Sequence, residues 1–228
     1  MHTLNYLRYF FYLAWNWNLR IAVHIIRNDL KGEKKYGIHT SGTDELQSLE
    51  DAGIDITYAT IYMPASYDLL ETLFSFPAIK SCTHLLDMGA GKGRILCVAA
   101  ANGFKQVSGV EFSKSFCVDA KRNLEMMKQK FPKLSYHIAL NDAFYFEIPK
   151  SVDCIFFFNP FDEMIMSAVI NNIETSMAAS PRPMYIVYLN PLHKELFTAN
   201  GFKEIFHLQK LKYLEAVILK KDPGMPGR

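Results

Sequence analysis

Between residues 83 and 219, short β-rich apolar runs alternate with longer stretches of helical periodicity. The runs cover residues 83–87, 106–111, 134–139, 153–158 and 184–189. Between them, 92–102 is apolar along its centre, and 114–130 places Phe116, Ala120, Leu124 and Met127 on one face. The segment 163–177 does the same with Met166, Val169, Ile173 and Met177. Strand–helix alternation of this kind predicts a parallel sheet covered on both sides. The pattern then changes. Runs at 202–208 and 213–219 are separated only by 209–212, too short for a crossover helix, so the two should pair antiparallel. The predicted fold is α/β: a doubly wound, mostly parallel seven-stranded sheet with helices on both faces and a closing antiparallel hairpin.

Upstream, Leu4, Leu7, Phe11, Ala14, Ile21 and Ile25 recur at helical spacing, with Arg8, Arg20, His24 and Arg27 between them. Packing onto the main domain explains this pattern; a basic, aromatic-rich helix lying on a membrane surface is the alternative. Residues 31–35 read as a charged, solvated link, and 41–51 as a short helix led by Thr43, Asp44 and Glu45. The expected organisation is an N-terminal helical extension packed on the core over 1–59, a main domain over 60–221, and a flexible tail over 222–228.

Composition narrows the function classes. Half the residues are apolar and 21% are charged, as in a globular chain. A net charge of +2 excludes a strongly polybasic nucleic-acid binder by bulk electrostatics and leaves a local basic patch open. The longest apolar runs, 9–15 and 95–101, are seven residues each. A membrane span needs ~20. Cys82, Cys97, Cys117 and Cys154 show no metal-ligand spacing, so reduced structural thiols and no metal are expected. With no small-x-small cleavage site after the first apolar stretch, the expected address is cytoplasmic.

The candidate chemistry starts where the first run ends, in Asp87-Met88-Gly89-Ala90-Gly91-Lys92-Gly93-Arg94. Glycines at alternating positions allow a tight turn and close backbone approach to a ligand. A dinucleotide fingerprint calls for a small residue at position 94, where this chain has Arg94. Asp87 would repel a pyrophosphate but suits a cationic or hydrogen-bond-donating ligand. Glu111 ends the next strand, placed to accept hydrogens from ribose hydroxyls.

Asp87-x-Gly89-x-Gly91-x-Gly93, then Glu111, then Asn141-Asp142-Ala143 resembles the class I Rossmann-like S-adenosylmethionine methyltransferases, over roughly residues 60 to 220. The resemblance implies S-adenosylmethionine as cofactor. Its methionine end would lie on the glycine loop, its ribose on Glu111 and its adenine amino group on Asp142. As a strand-end acid, Glu111 is expected to matter for the ligand and little for stability. Asn159-Pro160-Phe161, after the fourth run, resembles the (Asn/Asp)-Pro-Pro-(Tyr/Phe) motif of enzymes that methylate amide or exocyclic nitrogens, without the second proline. It implies a catalytic Asn159 that accepts hydrogens from the attacking nitrogen, on a turn shaped by Pro160, with Phe161 walling off the target. Phe156, Phe157 and Phe158 are further candidates for an apolar wall.

Tyr62-Met63-Pro64-Ala65-Ser66, ahead of a helix and the glycine motif, resembles the small seven-strand lysine methyltransferases related to the non-SET histone lysine enzymes. It places Tyr62 among the cofactor-binding residues. The implied activity is methyl transfer to nitrogen, with a protein lysine as acceptor. A nucleic-acid methyltransferase of the adenine N6 type, suggested by Lys128, Lys130 and Lys133, and a non-catalytic cofactor-binding regulator are the alternatives. Peripheral membrane contact through residues 1–30 stays the alternative to packing on the core. His84, His137 and His193 read as structural or surface residues.

Overall fold

The computed structural model describes residues 10–11, 14–15, 19–40, 65–158, 161–210 and 214–224. The expected helix at 41–51, and Tyr62, Asn159 and Pro160, lie outside the described residues.

Seven strands form one sheet: β1 His84–Met88, β2 Gln106–Glu111, β3 Ser135–Leu140, β4 Cys154–Phe158, β5 Met184–Leu189, β6 Lys203–Lys210 and β7 Leu214–Lys221. Their order is β3-β2-β1-β4-β5-β7-β6. β1 to β5 run parallel, while β7 pairs antiparallel with both β5 and β6. This is the predicted architecture. Among the described residues, positions 10–11 and 14–15 are helical, followed by α1 Leu19–Tyr36, α2 Tyr67–Phe74, α3 Pro77–Lys80, α4 Arg94–Ala101, α5 Lys114–Lys130, α6 Glu163–Ala179 and α7 Lys194–Ala199.

Side-chain alternation along the strands divides the interior into two layers. Leu85, Val107, Phe156, Val187 and Ile218 join α2, α4 and α5 on one face. Leu86, Val110, Ile155, Phe157, Ile186 and Val217 join α6 and α7 on the other. The predicted faces of α5 and α6 are the buried ones. Each of these helices starts on a side-chain cap. Ser113 accepts from the Phe116 amide at 3.4 Å, and Asp162 accepts from the Ile165 amide at 2.9 Å.

Three sequence expectations are corrected here. Residues 31–35 are no link but the last turns of α1; lysine and glutamate are good helix formers, and a dense charge run reads like a loop only when propensity is ignored. Gly32 sits inside that helix because a Cβ there would meet the Tyr67 ring at 2.1 Å. Phe11, assigned to the buried stripe, is 67% exposed, and Phe10 and Ala14 pack on Ala22 instead. Phe156 and Phe157 are fully buried core and cannot wall a substrate; Phe158 and Phe161 are half-buried.

Candidate functional site

The strand order reverses between β1 and β4, and in such sheets the crevice beyond the carboxyl ends at that point receives ligands. β1 delivers Asp87 and the glycine loop there. Gly89, Gly91 and Gly93 have φ of 92°, 51° and 80°, in the left-handed region where a side chain is strained. The Gly89 and Ala90 amides both donate to the Val110 carbonyl at 3.0 Å, which folds the loop back over β2. Gly109 in β2 leaves room for this fold, because a Cβ at that position would stand 2.6 Å from the Ala90 Cβ.

Glu111 closes the loop from the other side. Its Oε2 accepts from the Gly91 amide and its Oε1 from the Ser113 amide, each at 2.8 Å. Burial lifts its carboxyl above the ordinary range, and the amides of Ser113, Gly91 and Phe112 act against the lift. The expectation that Glu111 carries little stability is therefore corrected: its carboxylate satisfies two backbone donors that hold the loop.

Asp87 is buried, and its Oδ2 has no hydrogen-bond partner among the described residues. Burial, and then the neighbouring Glu111 carboxylate, hold its carboxyl well above the usual range. A buried carboxyl left this way accommodates a ligand that brings a positive charge or a donor N–H. Asp142 follows β3 and is exposed; its Oδ1 caps the 3₁₀ turn Ala143–Tyr145 by accepting from the Phe144 amide at 2.9 Å. The Asn141 amide donates to the Glu111 carbonyl at 3.1 Å, so the ends of β2 and β3 are tied together.

The structure thus brings together Asp87, Gly89, Gly91, Gly93 and Glu111, with Asp142 at the neighbouring strand end. Phe161 packs on the second core layer beyond β4. His84 opens β1, at the end of that central strand away from the crevice. Its ring bridges Ser151 at 2.9 Å and Ser108 at 2.8 Å, and burial pushes its pKa down to about 4, so it is a neutral structural group. Among the described residues no group of His, Cys, Asp or Glu is arranged to hold a metal ion.

Sequence reasoning missed two contributions. Phe112, just past Glu111, stays 61% exposed, and Leu140, the register partner of Glu111 at the end of β3, stays 56% exposed; both offer apolar surface for a planar ring. An aromatic residue directly after the strand-end acid was the available signal. The second is Asn123 in α5. Its Oδ1 accepts from the His39 amide at 3.1 Å, and its Nδ2 donates to the carbonyls of His39 at 3.0 Å and Lys92 at 2.9 Å. It clamps the segment after α1 to the glycine loop.

No protein-family profile matches the chain, and no curated protein matches it by sequence. Solved structures do share its fold. The ribosomal protein L11 methylase from Lactobacillus delbrueckii subsp. bulgaricus superposes with a TM-score of 0.55 at 13% identity, over 71% of this chain and 81% of that one. An RNA methyltransferase from Salinibacter ruber, solved in complex with S-adenosyl-L-homocysteine, gives 0.52 at 13% identity, over 73% and 98%. The B. subtilis M1A22 tRNA methyltransferase TrmK gives 0.52 at 14% identity, over 67% and 64%. At these identities the likeness is one of fold: a seven-stranded Rossmann-like sheet that is shared by proteins named for protein and RNA methylation.

Proposed function

We propose that the chain is an S-adenosylmethionine-dependent methyltransferase acting on a nitrogen nucleophile, with a protein lysine side chain as the acceptor. The observation that carries this reading is the buried Asp87, its Oδ2 unpartnered among the described residues, beside a glycine loop whose three glycines all take positive φ. Glu111 at the end of the adjacent strand completes the arrangement. A ligand with a cationic amino-acid end and a ribose meets each of these groups, whereas a dinucleotide would set its pyrophosphate against Asp87.

When bound, S-adenosylmethionine supplies the activated methyl group; the protein supplies alignment. The loop amides and Asp87 hold the amino-acid end. Glu111 would accept from the ribose and Asp142 from the adenine amino group, and Phe112 and Leu140 would supply apolar surface for the adenine. The assignment of Asn159, on the Asn159-Pro160-Phe161 turn, as acceptor of the attacking nitrogen's hydrogens rests on the motif alone.

Lysine is favoured over a nucleic acid by the charge around the mouth of β4. Asp162 and Glu163, directly after Phe161, are exposed acids, and Glu195 beyond β5 is another. The nearby Lys194 is tied to Glu204 at 3.0 Å. Such a rim attracts a cationic segment and repels a polyphosphate. Free lysine at pH 7 costs about 4.6 kcal/mol to deprotonate, from an ordinary pKa of ~10.4. The apolar Phe158 and Phe161 lower that cost by disfavouring the ammonium form.

The test is incubation of the purified chain with methyl-labelled cofactor and a lysate, followed by protease or nuclease digestion. Label released by protease and recovered as methyl-lysine is the expected result. Nuclease-sensitive label would move the acceptor to nucleic acid. Calorimetry that detects NAD binding and no S-adenosylmethionine binding would overturn the whole reading.

A further inference from the structure

Among the described residues, helix α1 packs on the sheet layer through the side that carries Asp29 and Tyr36. The inward side carries Ala22, Asp29, Gly32 and Tyr36. Asp29 pairs with Arg94 at 2.7 Å, and Tyr36 stacks on Tyr67 with ring centroids 5.6 Å apart. Glu33, the other acid of this helix, also turns to its own chain, accepting from the Thr40 amide at 2.6 Å. The outward side is different. With about 3.6 residues per turn, Leu19, Val23 and Leu30 fall within about 40° of each other, and Lys34, Arg27, Arg20 and Lys31 fill about the next 80°. Leu19, Val23 and Leu30 are 62%, 41% and 49% exposed, and the four cations are exposed beside them. Phe11 and Trp15, at the same four-residue spacing ahead of Leu19, are 67% and 91% exposed. A shallow concavity lined by Arg20, Val23, Arg27, Asn28, Leu30 and Lys31 opens on this side.

We propose that this face of α1, with Phe11 and Trp15, lies on the surface of an anionic lipid bilayer. Charge sorting commits the occupant: both acids of α1 are turned inward, and among the described side chains of the helix every exposed charge is positive. The apolar and cationic stripes run side by side along one helix. In a bilayer interface both find partners at once. Leucine, valine and tryptophan sink to the acyl boundary while arginine and lysine reach back to anionic headgroups. An RNA backbone would satisfy the cations and leave Leu19, Val23 and Leu30 in water, since aliphatic side chains give bases nothing to stack on. Among the described residues no helix is long and apolar enough to cross a membrane. This inference does not depend on the methyltransferase reading.

The experiment is cosedimentation of the full chain with vesicles of phosphatidylcholine alone or mixed with phosphatidylglycerol, at low and high salt. Tryptophan emission is read in parallel. The chain has two tryptophans, so Trp17→Phe makes the emission report Trp15. The expected result is sedimentation with the mixed vesicles only, weakening as salt rises, with a blue shift of Trp15 emission. Combining Arg20→Glu, Arg27→Glu and Lys31→Glu should weaken partitioning roughly 100-fold or more. Leu19→Ser with Val23→Ser and Leu30→Ser should weaken it by about tenfold or more. Neither set should shift the melting temperature, because these side chains are outside the core. A full chain that stays in the supernatant with mixed vesicles overturns the proposal. So does salt-insensitive binding, or binding to RNA without binding to vesicles.

Discussion

Asp87 and Glu111 are neighbouring acids whose removal should have opposite consequences for the ligand-free protein. The Asp87 carboxyl is held well above the usual range by burial and by Glu111. A carboxyl raised in the folded state gives stability that is full below its unfolded pKa and is lost as pH climbs through the folded pKa. Asp87→Asn removes that loss, so at neutral pH the ligand-free variant should melt higher, by ~2–4 °C if the gain is about 1 kcal/mol. At low pH the difference should vanish. Glu111→Ala instead strands the Gly91 and Ser113 amides, and at about 1–3 kcal/mol for unsatisfied buried donors it should lower the melting temperature. Both variants should bind S-adenosylmethionine less well. A cationic ligand favours ionised Asp87, so binding to the parent should release a proton and tighten with pH. Calorimetry in buffers of different ionisation enthalpy reads this directly. Proton release that persists in Asp87→Asn would assign it elsewhere.

At the scale of elements, Arg94 shows where sequence reading stops. Strands and long helices were legible because their periods of two and 3.6 are local properties of a few consecutive residues. The glycine loop and Glu111 were legible for the same reason, since one motif and one strand spacing contain them. In the sequence Arg94 stands out only as a departure from the dinucleotide pattern. Its purpose depends on partners far away: Nη1 donates to Asp29 at 2.7 Å and to the Ala65 carbonyl at 3.0 Å, Nε donates to Thr40 at 2.8 Å, and the guanidinium lies 4.2 Å from the Tyr67 ring centroid. Asn123 escaped notice likewise, a polar residue in a basic helix whose partner is 84 positions upstream. The Arg94–Asp29 pair is almost fully buried. Breaking it from either side, with Arg94→Met or Asp29→Leu, should cost about 3–5 kcal/mol, while removing both charges should cost much less than the sum. Denaturant melts of the two single variants and the double variant form the cycle. Additive losses would mean that the two charges stabilise the fold independently.

For the whole molecule, this pair ties the N-terminal helix to the sheet layer that carries the glycine loop, and it sets where the chain tolerates truncation. Of the described residues, removing 1–18 takes away Trp15 and Phe11, which are exposed, and the packing of Phe10 and Ala14 on Ala22. That shorter chain should stay soluble and melt within about 4 °C of the parent, the shift of roughly 1 kcal/mol in a protein of this size. Removing residues 1–40 is another matter. Arg94 then loses Asp29 and Thr40, the Tyr67 ring loses Tyr36 and its hydroxyl loses Thr40, and Asn123 loses His39. An unpaired buried guanidinium alone costs about 3–5 kcal/mol, a large share of the ~5–15 kcal/mol that holds a domain folded. The expected outcome is a drop of ~10 °C or more, or loss of soluble protein. Adding Arg94→Met to the 41–228 chain should recover part of that drop, because it removes the stranded charge while the missing helix stays missing. Circular-dichroism melts and soluble yields of the three truncated chains decide the matter. If the 41–228 chain melts like the parent, α1 is an appendage, and the buried pair is no structural link between extension and sheet.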